Sequence, residues 1–142
     1  MVLYLDSSSL VKLFIEERHS AQVREWTDAA AAVLTCRVAY PEAVAAFSRR
    51  NREGGLRHAE YRRVMRALDA QWEAFGRLEF DERLAGRLAA RHALRGFDAI
   101  HLSAAKTLLT EGGDASVAFS SFDTQLNRAA EKEGMTLLLP GA

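Results

Sequence analysis

Apolar and polar positions follow two rhythms along this chain. Val2-Leu3-Tyr4-Leu5 is an unbroken apolar run that meets Asp6 and then Ser7-Ser8-Ser9. A run so short, closed by an acid and serines, predicts a strand buried on both faces. Ala32-Val33-Leu34-Thr35, Val117-Ala118-Phe119-Ser120-Ser121 and Met135-Thr136-Leu137-Leu138-Leu139 repeat the pattern. Arg77-Leu78-Glu79-Phe80 alternates instead, which suits a strand at or near a sheet edge. Between these runs the apolar residues recur every three or four positions, the helical period. Helices are predicted over residues 8–17, 19–30 (with Ser20 as a cap), 38–52, 56–75, from Asp81 to about 94, 97–109 and 124–133. Pro41 suits a first helical turn, where its missing N–H costs little. Gly54-Gly55, Gly112-Gly113 and Gly134 punctuate the helices.

Strands alternating with helices predict an α/β fold. The expected architecture is a central parallel sheet of four or five short strands with helices on both faces, a three-layer α/β/α arrangement. The 142 residues suffice for one compact domain with a real core, and no linker, repeat or low-complexity segment divides them, so residues 1–142 read as a single domain. Lys plus Arg and Asp plus Glu balance at 19 each, so net charge selects no partner. One cysteine, Cys36, excludes an internal disulfide and fits a reducing compartment. No apolar stretch is long enough to span a membrane, and an acid at position 6 with no basic flank argues against a signal peptide. A cytoplasmic protein without membrane contact is therefore expected.

Charge distribution says more than net charge. Asp6 and Asp123 each follow a buried strand, and in open parallel sheets ligands collect outside the carboxyl strand ends. Glu42 and Asp98 each fall near the start of a predicted helix. Any one of these acids reads equally as a helix cap. As a set they form an oxygen-only group suited to Mg²⁺ or Mn²⁺, with no His/Cys cluster of zinc type to compete. Without a cation, their mutual repulsion would drive some of them to protonate.

The segments that carry these acids resemble those of a known family. Leu5-Asp6-Ser7-Ser8-Ser9-Leu10-Val11-Lys12-Leu13, Ala39-Tyr40-Pro41-Glu42, Phe97-Asp98-Ala99-Ile100-His101-Leu102-Ser103-Ala104-Ala105 and Phe119-Ser120-Ser121-Phe122-Asp123-Thr124-Gln125-Leu126-Asn127 are similar to the four acidic motifs of PIN-domain ribonucleases. They resemble most closely the VapC-type toxins of bacterial and archaeal toxin–antitoxin modules. The likeness spans nearly the whole chain in order, and its one mild departure is Ser121, where the family often carries Thr. It implies a Mg²⁺- or Mn²⁺-dependent endoribonuclease with Asp6, Glu42, Asp98 and Asp123 at the metal. Ser8 and Ser121 would then orient carboxylates or water, and the products would carry 5′-phosphate and 3′-hydroxyl ends. It also implies a homodimer and a cognate VapB-like antitoxin, with Leu10, Leu13, Phe14, Val44 and Phe47 lining its groove or else lying in the core.

Other residues are candidates for holding RNA. Arg49, Arg50, Arg52, Arg57, Arg62, Arg63 and Arg66 crowd one segment, read either as a phosphate-binding surface or as a solvated helix face. Of these, Arg49, Arg50 and Arg52 share a helix with Glu42. Tyr40 is the aromatic placed to stack on a base. His101, three residues after Asp98, touches substrate, fixes Asp98 or is a packed core histidine. Two other readings stand beside the nuclease. A phosphohydrolase with a strand-end Asp nucleophile usually needs a second acid two residues on, where this chain has Ser8. A PIN-like binding module without activity would be marked by lost site acids, and none is lost.

Overall fold

In the computed structural model, residues 1–113 and 116–141 are described. The chain runs β1 (Val2–Leu5), α1 (Ser7–Phe14), α2 (Ser20–Ala29), β2 (Ala32–Cys36), α3 (Ala39–Arg52), α4 (His58–Gln71), β3 (Gly76–Leu78), α5 (Glu82–His92), α6 (Gly96–Glu111), β4 (Val117–Ser120), α7 (Thr124–Lys132) and β5 (Thr136–Leu137). A single 3₁₀ turn, Trp72–Ala74, joins α4 to β3.

All five strands pair in parallel in the order β3-β2-β1-β4-β5. The first strand is thus the central one, which explains its continuous apolar run: Leu3, Tyr4 and Leu5 are fully buried. Alternate side chains serve opposite faces. Leu3, Leu5 and Ala118 pack with α1–α4 residues such as Leu10, Val23, Phe47 and Leu68. Tyr4 and Phe119 pack with Leu88, Leu102 and Leu126 of α5–α7, the two rings stacked at 5.6 Å. The three-layer α/β/α arrangement follows.

Several boundaries differ from the sequence pattern. Ser20 does not cap α2; its hydroxyl accepts from Glu17 N and donates to the Ile15 carbonyl, and His19 takes the cap position at φ 69°. The helix expected over 56–75 starts at His58, because Leu56 is pulled into the core, and gives way to the 3₁₀ turn at Trp72. The last strand shrinks to Thr136–Leu137. At the other edge, β3 begins on Gly76 in register with Leu34, where a Cβ would stand 2.8 Å from the Leu34 side chain.

Glu133, just past α7, ties the second helical layer together. Its carboxylate accepts from Arg91 at 2.9 Å and pairs with His92 Nε2 at 2.6 Å, both on α5. From α6, Lys106 donates to its carbonyl at 2.9 Å.

Candidate active site at the carboxyl edge of the sheet

The chain leaves β1 for β2 on one side, and β4 joins β1 on the other. Between β1 and β4 the order reverses, and such a switch point opens a crevice at the carboxyl strand ends. Asp6 stands there. Its backbone N–H continues the ladder to the Ser120 carbonyl, and its side chain caps α1 by accepting from Ser9 N at 3.0 Å. The residue is 4 % exposed, so its carboxylate must be satisfied by the protein or by a ligand.

Two hydroxyls meet that need in part. Ser8 Oγ donates to Oδ1 at 2.7 Å and accepts from Phe122 N at 2.9 Å. Ser121 Oγ donates to Oδ2 at 2.6 Å and accepts from Asp123 N at 3.0 Å. Each serine therefore joins Asp6 to the segment after β4, and neither hydroxyl can turn away without losing a bond. Asp123 itself caps α7 by accepting from Leu126 N.

Asp98 enters from the first turn of α6. Burial pushes its carboxyl above the usual range, and the nearby Asp123 and Asp6 carboxylates add to the shift. Arg95 opposes them: its guanidinium lies 3.5 Å from Asp98 Oδ2 and 3.5 Å from Asp123 Oδ2. Those two carboxylates thus flank one cationic group, which is itself largely in solvent.

Glu42, in the first turn of α3, is held differently. Ser7 Oγ donates to Oε1, and His101 Nε2 lies 2.8 Å from the same oxygen. The other ring nitrogen, Nδ1, is 2.7 Å from the Tyr4 hydroxyl. Burial, with the charges of Cys36, Asp6 and Glu42, pushes the Tyr4 phenol well above its ordinary value, so it keeps its proton and donates to Nδ1. Nε2 then carries the hydrogen and donates to Glu42. Burial works to raise the Glu42 carboxyl, but the hydrogen bonds from His101 and Ser7 outweigh it and hold the carboxyl below its usual range.

Asp6, Glu42, Asp98 and Asp123 all line one open cleft of about 530 Å³, with Lys12, Arg49, Arg50, Arg95, Phe97 and His101 among its other walls. Segments from four parts of the sequence have brought the four acids to one place. Ser8 and Ser121 both bond the Asp6 carboxylate, as the family resemblance implied. His101 is 1 % exposed and bonds Glu42 rather than Asp98, so it is a buried positioning group and not a free contact for substrate. Tyr40 requires correction: its hydroxyl bonds Asp69 and its ring packs edge-on against Trp72, which turns it toward α4 and out of the cleft. Arg52 also points elsewhere, bonding Ser48 Oγ one helical turn back. Arg50 is at the cleft but paired with Glu17 at 3.0 Å, whereas Arg49 makes no ion pair among the described residues. Leu10 and Phe47 are fully buried core residues, which removes them from any docking groove.

Sequence spacing did not single out Ser7, Lys12, Arg95 or Phe97. Arg95 had a local signal, since it precedes Asp98 by one helical turn. The pairing of Tyr4 with His101, 97 residues apart, had none.

The sequence matches the PIN domain family over residues 3–132. The chain belongs to the PIN domain family. Among curated relatives of this PIN domain, Ribonuclease VapC45 of Mycobacterium tuberculosis is 34% identical over 136 residues, covering 94% of this chain and 92% of the relative. The fold is shared with PAE2754 from Pyrobaculum aerophilum, with a TM-score of 0.69 at 20% identity over 96% of this chain and 83% of that one. It is also shared with VapBC2 from Rickettsia felis, bound to a DNA fragment from their promoter, at a TM-score of 0.66, 11% identity and coverage of 97% and 98%.

Among the described residues, no three His, Cys, Asp or Glu side chains are grouped closely enough to hold a metal ion. The donor chemistry still suits a hard divalent ion. The cleft offers carboxylate oxygens and no thiolate, and Mg²⁺ usually keeps several waters while taking one or two carboxylates directly. Asp98, crowded by two like charges, is a group that a cation would relieve.

Proposed function

We propose that this PIN domain is a VapC-like endoribonuclease toxin that hydrolyses RNA phosphodiester bonds with Mg²⁺ or Mn²⁺ and is silenced by a cognate antitoxin. The observation that carries the reading is the arrival of four acids, from four distant segments, in one cleft at the switch point of the sheet. The kinship with Ribonuclease VapC45 supports RNA as the substrate and the toxin assignment.

Asp6, Asp98 and Asp123 would hold the ion, with Glu42 at the α3 wall. A divalent ion bound there supplies charge neutralisation at the scissile phosphate and a lowered pKa for water. The chain's own residues do the rest. Ser8 and Ser121 fix both oxygens of Asp6, so that ligand is preorganised before substrate arrives. His101, set by Tyr4, keeps Glu42 ionised and aimed. Arg49 and Arg95, both exposed at the rim, supply the phosphate contacts that attract a polyanion toward an acidic floor.

The likeness to VapBC2 supports a VapB-like antitoxin as partner; the toxin proposed here acts as a homodimer in the cytoplasm. Brief induction in a bacterial host, followed by sequencing of RNA ends, tests this reading. New 5′-phosphate ends and growth arrest are expected, both absent with Asp98→Asn and both suppressed by co-expressed antitoxin. Unaltered RNA ends in arrested cells would contradict it.

A further inference from the structure

Phe97 is the most exposed large apolar side chain among the described residues, at 57 %. Isolated apolar residues at a surface need no explanation. Its position is what matters here. It occupies the first turn of α6, one residue before Asp98, and its ring lines the same cleft as the four acids. Arg95 stands beside it, while Lys12, Arg49 and Arg50 face the cleft from α1 and α3. An aromatic face among cations, beside the position of a scissile phosphate, is the combination that binds single-stranded nucleic acid. The other aromatics near the site are already used. Tyr4 is buried against Phe119, Tyr40 packs on Trp72, and Phe122 stacks on His19 beneath Lys12.

Resting on the ribonuclease reading, we propose that Phe97 is the stacking platform for an unpaired nucleobase next to the cleaved phosphate. A base within a duplex has both faces covered by its neighbours and cannot reach the ring. Stacking on a phenyl face discriminates little between bases, so Phe97 selects strandedness rather than sequence.

The test uses a short, fluorescein-labelled, mixed-sequence oligoribonucleotide, alone and annealed to its complement. Binding is followed by anisotropy with Mg²⁺ present, in an Asp6→Asn background that prevents cutting. Phe97→Ala is expected to weaken single-strand binding by about 5- to 150-fold, the range of base–aromatic stacking, and to leave duplex binding unchanged. Phe97→Trp is expected to restore binding, with indole emission quenched by the single strand. Sedimentation and circular dichroism of each variant report assembly and fold. Equal single-strand binding by the parent and Phe97→Ala overturns the proposal alone, as does an equal loss for single strand and duplex. A change in oligomeric state that Phe97→Trp does not reverse also overturns it, by assigning the ring to a second copy of the chain. If the parent binds neither RNA, the ribonuclease reading falls and takes the platform with it.

Discussion

Asp98 is a half-buried carboxylate crowded by like charges. Burial and the charges of Asp123 and Asp6 raise its pKa, so folding of the metal-free chain penalises its ionised form. The sign follows: below the ordinary Asp value the group is neutral whether folded or unfolded, and stability is lost as pH rises and the crowded folded state must ionise it. Asp98→Asn is therefore expected to stabilise the metal-free protein at neutral pH by about 0.5–2 kcal/mol, the usual yield of relieving a functional strain, while abolishing cleavage. Thermal melts in EDTA check this, and an unchanged or lower melting temperature would count against the crowding. Tyr4 acts at one remove. Tyr4→Phe leaves His101 Nδ1 without its donor and frees the ring from the tautomer that serves Glu42. A loss of about 10- to 100-fold in RNA cleavage with an unchanged circular dichroism spectrum is expected. Asp6 was legible in sequence because it closes a buried apolar run, and Ser8 because both stand in one motif that resembles the family's. Tyr4 and His101 were not, because their meeting depends on β1 lying at the centre of the sheet beneath α6.

Elements decide which charged side chains reach the cleft. The arginine-rich segment spans the end of α3 and most of α4, yet only Arg49 and Arg50 of it line the site. Helical rotation turns Arg52 back onto Ser48. The same rotation faces Tyr40 toward α4, where Trp72 and Asp69 engage it. Sequence proximity to Glu42 could not reveal either, since successive helix residues point in different directions. On the opposite layer, Glu133 joins three helices with an 8 % exposed carboxylate. Burial works to raise its pKa, but the hydrogen bonds from His92 and Arg91 outweigh it and the net shift is downward. Its contribution is thus present above the ordinary Glu value and lost as pH falls through its own lower pKa. Glu133→Gln is expected to cost about 1–3 kcal/mol at neutral pH, with the gap to the parent closing in acid. Urea midpoints across that range measure it, and a gap independent of pH would contradict the charge-based account.

For the whole molecule, the strand order makes the site. Hydrophobic patterning was enough to place an α/β fold with a parallel sheet, because β1 and the first three residues of β4 are apolar and an acid follows each strand within three residues. It did not give the order β3-β2-β1-β4-β5, which depends on pairings between strands far apart in sequence. Balanced net charge hid a polarised cleft, with acids on its floor and Lys12, Arg49, Arg50 and Arg95 around it. RNA binding should accordingly weaken with salt, and Arg49→Ala should flatten the log–log slope by about 0.7, one phosphate contact to a single strand. An unchanged slope, measured by anisotropy over a KCl series, would place Arg49 off the RNA path. The central claim is that Asp6 anchors a divalent ion on which RNA hydrolysis depends. Incubating purified protein with RNA in Mg²⁺ or Mn²⁺, in EDTA, and as Asp6→Asn tests it most directly. Cleavage only in the ion-containing, unsubstituted sample is the result predicted; cleavage that persists in EDTA, or in folded Asp6→Asn, would contradict it.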